Sequence, residues 1–343
     1  MQQPMTGERG EQGSRDGVGN LKISRLHPVY IKNILTIFKI LAGVAMLILS
    51  VRGIQWGNLV AGIGAANLSW LALAILSVLL GLFLKIWRWI IFVKNYHIPS
   101  SISELYRAYF VGQAVNILLP FRGGELVRIG YFARNPMILP DIVMTIALEK
   151  YLDLVALAAC GIIVSLKISI DNILNLRGWF LPVTILVTLI LLAAILFGPA
   201  IWRKIRTGNR LPKRLIEWMD RWVQTSLWLR NPRKVFPGVL LTVLIWGVMW
   251  LTNLLLFKSL GLPLGGAAAG LVLLLVYIGL LPALMPGNIG PFYFFAWLAL
   301  LPFGILHNQG LVFAIILHAI VTLPPLMGGA IGLFVRPSRT GST

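Results

Sequence analysis

Residues 104–132, ELYRAYFVGQAVNILLPFRGGELVRIGYF, decide the fold. The stretch is apolar and long enough to enter a bilayer, whose core of about 30 Å takes roughly 20 residues of helix. It is nevertheless interrupted at Pro120-Phe121-Arg122-Gly123-Gly124. Pro120 removes a backbone donor, and Gly123 and Gly124 permit positive φ, so two half-helices are expected to meet there with exposed ends. A full crossing by residues 104–120 would place Arg122, Arg128 and Arg134 outside, against the tendency of Lys and Arg to stay cytoplasmic. A hairpin that enters from the cytoplasm and returns fits better. Residues 266–303 form a second apolar stretch, broken at Pro286-Gly287-Asn288-Ile289-Gly290-Pro291, and should dip in from the external side.

Around these breaks lie apolar runs near 33–51, 68–92, 141–166, 179–201, 235–258 and 309–334. The chain therefore reads as an all-α polytopic membrane protein with six full spans and two broken re-entrant helical hairpins. Eight full spans is the alternative, since both arrangements leave the termini on one side. Span 68–92, the first hairpin and span 141–166 recur in opposite orientation as span 235–258, the second hairpin and span 309–334. Such an inverted repeat brings interrupted helices together near the midplane to form a substrate site.

Composition agrees, because 58% hydrophobic and 12% charged residues, with mean hydropathy +0.84, depart from the roughly 45–50% and 25% of soluble proteins. The net charge of +19 would suggest nucleic acid in a soluble chain, but topology accounts for it here. Arg9, Arg15, Lys22, Arg25 and Lys32 lie in a polar tail, 1–32, expected to be disordered and cytoplasmic. Lys85, Arg88 and Lys94 cluster at the end of the second span. The basic loop 202–234 opposes ten Lys and Arg to Glu217 and Asp220 alone, and Arg336 and Arg339 mark the tail 336–343. One transmembrane domain, 33–335, in the cytoplasmic membrane with both termini inside, follows. Within the loop, the amphipathic stretch from Leu211 to Trp228 suits an anionic lipid surface. Trp56, Trp70, Trp87, Trp89, Trp179 and Trp202 fall near span ends, where an aromatic belt is expected.

The single cysteine, Cys160, excludes an intramolecular disulfide framework and a thiolate cluster. No metal-ligand spacing, P-loop, dinucleotide fingerprint or nucleophile elbow occurs, so no metal, cofactor or catalytic residue is expected. Polar chemistry instead sits inside apolar runs. Asp and Lys each cost about 2.5–3.5 kcal/mol at a helix centre, yet the third span holds Glu149, Lys150 and Asp153. Asp141, Thr145, Glu149 and Asp153 recur every four residues and share one helical face, which should point inward. It is either a structural ion-pair surface or the polar wall of a substrate cavity. At the first break, a half-helix starting near Gly124 would offer amides to an anion, with Arg122 and Arg128 adding bidentate contacts; an interfacial loop touching headgroups is the plainer alternative. The second break offers only backbone dipoles, Asn288 and the aromatic run Phe292, Tyr293, Phe294, Phe295. His318 is a candidate hydrogen-bonding partner near it.

The string Pro120-x-Arg122-x-Gly124-Glu125-x-x-Arg128, followed by Glu149-Lys150-x-x-Asp153, resembles the pattern of the lysylphosphatidylglycerol synthase transmembrane region family, also described as flippase-like. Pro286-Gly287-Asn288-Ile289-Gly290 and the closing segment with His318, Pro324 and Gly329 are similar to the same family. The resemblance covers about residues 33–335. It implies a lipid-handling membrane domain, in the best-known members one that moves aminoacylated phosphatidylglycerol between leaflets. Many relatives carry a Glu shortly after the second break, where this chain has Phe292 to Phe295. Members that make the aminoacyl lipid add a soluble domain after further helices, and this sequence runs only to Thr343, so synthase activity is expected to be absent.

Together these features point to a flippase-like transporter, not an enzyme, that moves a phospholipid or lipid-linked precursor with a polar, anionic headgroup. Arg122, Glu125, Arg128, Glu149, Lys150 and Asp153 would line the headgroup path, and Pro120, Gly123, Gly124, Pro286, Gly287, Asn288 and Gly290 would shape the breaks. Its partners would be membrane lipids, with a separate lipid-synthesis enzyme as a candidate and no nucleic acid. One rival is a non-catalytic partner of a lipid or envelope pathway that works through the basic loop. The other is an intramembrane lipid-modifying enzyme with Glu149 or Asp153 as general base.

Overall fold

The computed structural model describes residues 28–119, 123–133, 138–167, 200–206, 232–283 and 285–334, with scattered positions between 182 and 223. The described residues form helices and turns and contain no strand. In chain order the helices are α1 (Pro28–Val51), α2 (Trp56–Gly64), α3 (Leu68–Asn95), α4 (Ile102–Leu118), α5 (Gly124–Gly130), α6 (Leu139–Lys167), α7 (Pro232–Ser259), α8 (Gly266–Leu280), α9 (Pro291–Leu298) and α10 (His307–Phe334). A 3₁₀ turn at Pro286–Asn288 joins α8 to α9, and another at Leu301–Phe303 precedes α10.

Leu68–Asn95, Arg233–Ser259 and His307–Phe334 are each long and apolar enough to cross a membrane. Helix α6 matches them in length but carries Asp141, Glu149, Lys150 and Asp153. The first expected span, 33–51, is only one arm of a bent pair: Ile37–Val51 and Trp56–Gly64 meet at 81°. Gly53, at φ 78°, lets the chain leave α1 in a conformation most side chains avoid. The expected span 179–201 lies largely outside the described residues.

Helices α3 and α7 run antiparallel, because their contacts climb one helix while descending the other. Asn67 and Ser259 join the ends through Asn67 N–H to the Ser259 carbonyl at 2.7 Å. The Ser77 and Thr252 hydroxyls meet at 2.8 Å, Arg88 donates to the Thr242 hydroxyl at 2.8 Å, and the Phe92 ring occupies the space beside Gly238. Asn67 also starts α3, its side chain accepting from the Ser69 and Trp70 amides. Helices α4 and α10 are likewise antiparallel: Arg107 donates to the Gly332 carbonyl at 2.9 Å, and Gly328 lies against Phe110.

The faces are sorted in the opposite sense to a soluble protein. Leu76 and Phe83 on α3 and Val243 on α7 are 58%, 57% and 62% exposed, whereas Arg88 is fully buried. That sorting is what a hydrocarbon surround demands, since an unpaired charge facing lipid is costly.

Both broken stretches fold back on themselves. A Cβ on Gly112 or Gly124 would overlap the backbone of the other, so α5 lies directly against α4. Gly279 likewise admits the ring of Phe295, closing α9 against α8. Helix α6 packs on α8, and α10 on α4.

Candidate functional site

The four-residue period on α6 puts its polar face against α3. Trp89 donates to the Thr145 hydroxyl at 3.1 Å, and Thr145 returns a bond to the Ile142 carbonyl at 2.7 Å. Arg88 grips Asp153 with both terminal nitrogens, at 2.9 and 3.1 Å, and reaches Glu149 at 3.7 Å. Arg128 pairs with the other Glu149 oxygen at 2.8 Å, while its guanidinium lies 4.1 Å from the Trp89 ring centroid and 5.1 Å from that of Tyr109. Glu149 is thus held between two arginines, all three buried. Bidentate contact and stacking over aromatic faces are the properties that suit Arg to such a place.

At the first break, Pro120 and Arg122 lie outside the described residues. The structure corrects the reason for the glycines that follow: Gly123 sits at φ −71° and Gly124 is helical, so neither uses positive φ. Gly124 is required by its close approach to Gly112. Its amide, expected to face an anion, instead donates to the Asn116 side-chain oxygen at 2.7 Å. The Asn116 amide group in turn donates to Glu125 at 3.2 Å, and Lys150 pairs with Glu125 at 2.8 Å.

The second break is where positive φ occurs, at Gly287 (64°), Asn288 (56°) and Gly290 (92°). Gly290 also abuts the Gly43 carbonyl of α1, an approach a side chain would obstruct. His318 fastens this turn: Nε2 lies 2.8 Å from the Gly287 carbonyl and Nδ1 2.9 Å from the Tyr293 hydroxyl. A carbonyl only accepts, so Nε2 carries the proton and Nδ1 of the neutral ring accepts from Tyr293. Replacing His318 with Phe is expected to cost about 1–3 kcal/mol, the penalty for leaving buried polar partners unmade, and to speed amide hydrogen exchange at residues 287–290. Unchanged exchange there would show that the ring does not secure the turn.

Between the two breaks lies a cavity of about 340 Å³. Asn116 and Glu125 reach it from the first hairpin, Asn288 and Phe292 from the second, Glu149, Lys150 and Asp153 from α6, and His318 from α10. Seven residues singled out from sequence at the breaks and in the third and last spans therefore share one wall system: Glu125, Glu149, Lys150, Asp153, Asn288, Phe292 and His318. Arg128 stands behind Glu149, and Gly123, Gly124, Pro286, Gly287 and Gly290 shape the backbone without lining the space. No group of three or more His, Cys, Asp or Glu suited to a metal occurs among the described residues.

Sequence reasoning missed two residues of the site by assigning them to topology. Lys85 and Arg88 face the bundle interior, so of that cluster only Lys94 remains an exposed marker. Trp89, expected in an interfacial belt, is fully buried beneath Arg128. Trp202 is also buried and donates to Asp220 at 2.9 Å. Both were legible only as Trp near a helix end. Their partners, distant in sequence, decide their role.

Residues 36–329, from within α1 to within α10, match the family model described as the lysylphosphatidylglycerol synthase TM region. Comparison with curated proteins gives no significant match.

Proposed function

Because the chain belongs to the lysylphosphatidylglycerol synthase TM region family, a family of flippase-like membrane domains, we propose that it moves a lipid with a polar, anionic headgroup between leaflets. The cavity carries this reading. It lies where both helix breaks meet, is lined with charged and amide side chains, and is enclosed by helices whose outer faces are apolar. Its volume falls in the lower part of the roughly 300–1,000 Å³ range of small-molecule sites, enough for a headgroup while the acyl chains stay in the bilayer.

The architecture that suits this task is six full spans with two re-entrant hairpins in an inverted repeat. Antiparallel α3 and α7 are its corresponding first helices. The third helix of each group packs on the other group's hairpin, α6 on α8 and α10 on α4. Two-fold exchange of this kind is how inverted repeats place a site at their interface. Both termini are assigned to the cytoplasm from the basic tail and the 202–234 loop. The lipid-modifying enzyme is the weaker reading, because Asp153 and Glu149 are ion-paired with Arg88 and Arg128, and a carboxylate that took up a proton would leave its buried arginine uncompensated.

Thr322 lines the cavity from α10. In reconstituted vesicles the wild type is expected to expose fluorescently tagged phosphatidylglycerol from the inner leaflet to an added quencher. Thr322→Trp, which fills the cavity, should reduce the rate to that of protein-free vesicles while the unfolding temperature holds. A wild type that speeds the exchange of no tagged phospholipid would overturn the transport reading. Chemical conversion of the lipid without exchange would favour the enzyme.

A further inference from the structure

Pairing the charges at the cavity leaves one over. Arg88 is paired with Asp153, Arg128 with Glu149 and Lys150 with Glu125. Lys85, whose side chain also lines the cavity, has the Tyr277 hydroxyl at 3.5 Å and, among the described residues, no carboxylate within 4 Å. With the two arginines that stand behind the lining counted in, four cations against three carboxylates leave the site a surplus of one positive charge. Lys85 sits ten residues before the end of α3, about 15 Å along the helix axis. An ammonium at such depth is expensive without a counter-ion. Among the aliphatic side chains that make up most of the remaining lining stand neutral hydrogen-bonding groups, including Gln113, Asn116, Asn253 and Thr322.

We infer that Lys85 is the anchor for the phosphodiester monoanion of a lipid headgroup, and that the cavity selects net-negative headgroups rich in hydroxyls, of glycerol or sugar type. A headgroup that adds an ammonium finds each of the three carboxylates already engaged and meets the repulsion of Lys85. This inference names the substrate class within the transport reading and rests on it. It departs from the aminoacylated lipid that the best-known relatives suggest. The arginines have a different task, which is to hold Glu149 and Asp153 in place.

Binding separates the two claims, because it does not need transport. The full chain, purified in detergent, would be titrated with tagged phosphatidylglycerol, tagged phosphatidylethanolamine and lysylphosphatidylglycerol, and with soluble glycerol 3-phosphate as competitor. Phosphatidylglycerol is expected to bind roughly 10- to 100-fold more tightly than the aminoacylated lipid, the worth of one charged hydrogen bond. Lys85→Gln should lose about the same factor for phosphatidylglycerol alone, and Lys85→Arg should retain most of the binding, which guards against a folding defect in the first variant. Equal affinity for the three lipids, or wild-type affinity in Lys85→Gln, would overturn the inference even if vesicle exchange is intact. Lys85-dependent binding without leaflet exchange would uphold the anion site and sink the flippase reading. Direct binding of glycerol 3-phosphate, read by calorimetry, in a protein that binds none of the lipids would assign the site to a soluble phosphate and overturn the lipid assignment.

Discussion

Arg88→Met is expected to destabilise the protein by about 3–5 kcal/mol, the range found when one member of a buried pair is removed, with a lower unfolding temperature in detergent and less folded protein recovered from membranes. Arg88 is fully buried and donates to both Asp153 oxygens and to the Thr242 hydroxyl. Truncation leaves Asp153 Oδ2 without its donor and Oδ1 with only the Trp246 indole at 3.4 Å, so the carboxylate loses its counter-ion inside the bundle. Two features hold the loss within that range: the Asp153 side chain is 28% exposed and can draw water from the cavity, and Glu149 keeps Arg128. The double variant Arg88→Met, Asp153→Leu should recover much of the stability, since replacing a whole buried pair with apolar groups is often near neutral. The Lys150 side chain, 49% exposed where it meets Glu125, provides the scale: Lys150→Met should cost less than about 1 kcal/mol, as exposed ion pairs do. If the single and double Arg88 variants unfold alike, the pair is not what stabilises the α3–α6 contact.

The inward polar face of α6 was legible because its evidence is local: a four-residue period of Asp141, Thr145, Glu149 and Asp153 is meaningful whatever surrounds it. Hydropathy placed α3, α6, α7 and α10 within a few residues for the same reason. What sequence could not supply was the identity of partners. Lys85, Arg88 and Trp89 stand near the end of an apolar run, where topology and interface anchoring explain such residues without structure. Only the arrival of Asp153, Thr145 and Arg128 from later in the chain turns that helix end into an interior. The glycines of the first break show a related limit. Their presence announced a backbone requirement, but positive φ and close approach leave the same letter in the sequence, and the second operates here. At Gly287 and Gly290 the first operates.

The close approach can be tested against an unconstrained neighbour at adjacent positions. Gly124→Ala is expected to destabilise by at least the roughly 3 kcal/mol upper end for overpacked sites, because the added Cβ would overlap the Gly112 carbonyl oxygen. A backbone carbonyl within α4 cannot rotate aside as a side-chain tip can. Gly123→Ala meets nothing within 4 Å and keeps an ordinary φ of −71°, so its cost should stay below about 1 kcal/mol, the loss of a glycine at a helix start. Thermal unfolding of the two variants in parallel reads the difference. The consequence extends to the cavity: parting α5 from α4 withdraws the Gly124 amide from Asn116 and shifts Glu125 away from both Asn116 and Lys150. Gly124→Ala protein that still inserts should therefore lose lipid exchange as well as stability, while Gly123→Ala keeps both. Equal damage at the two positions would mean that the break serves as a flexible joint, and that contact between α4 and α5 is not what sets the cavity wall.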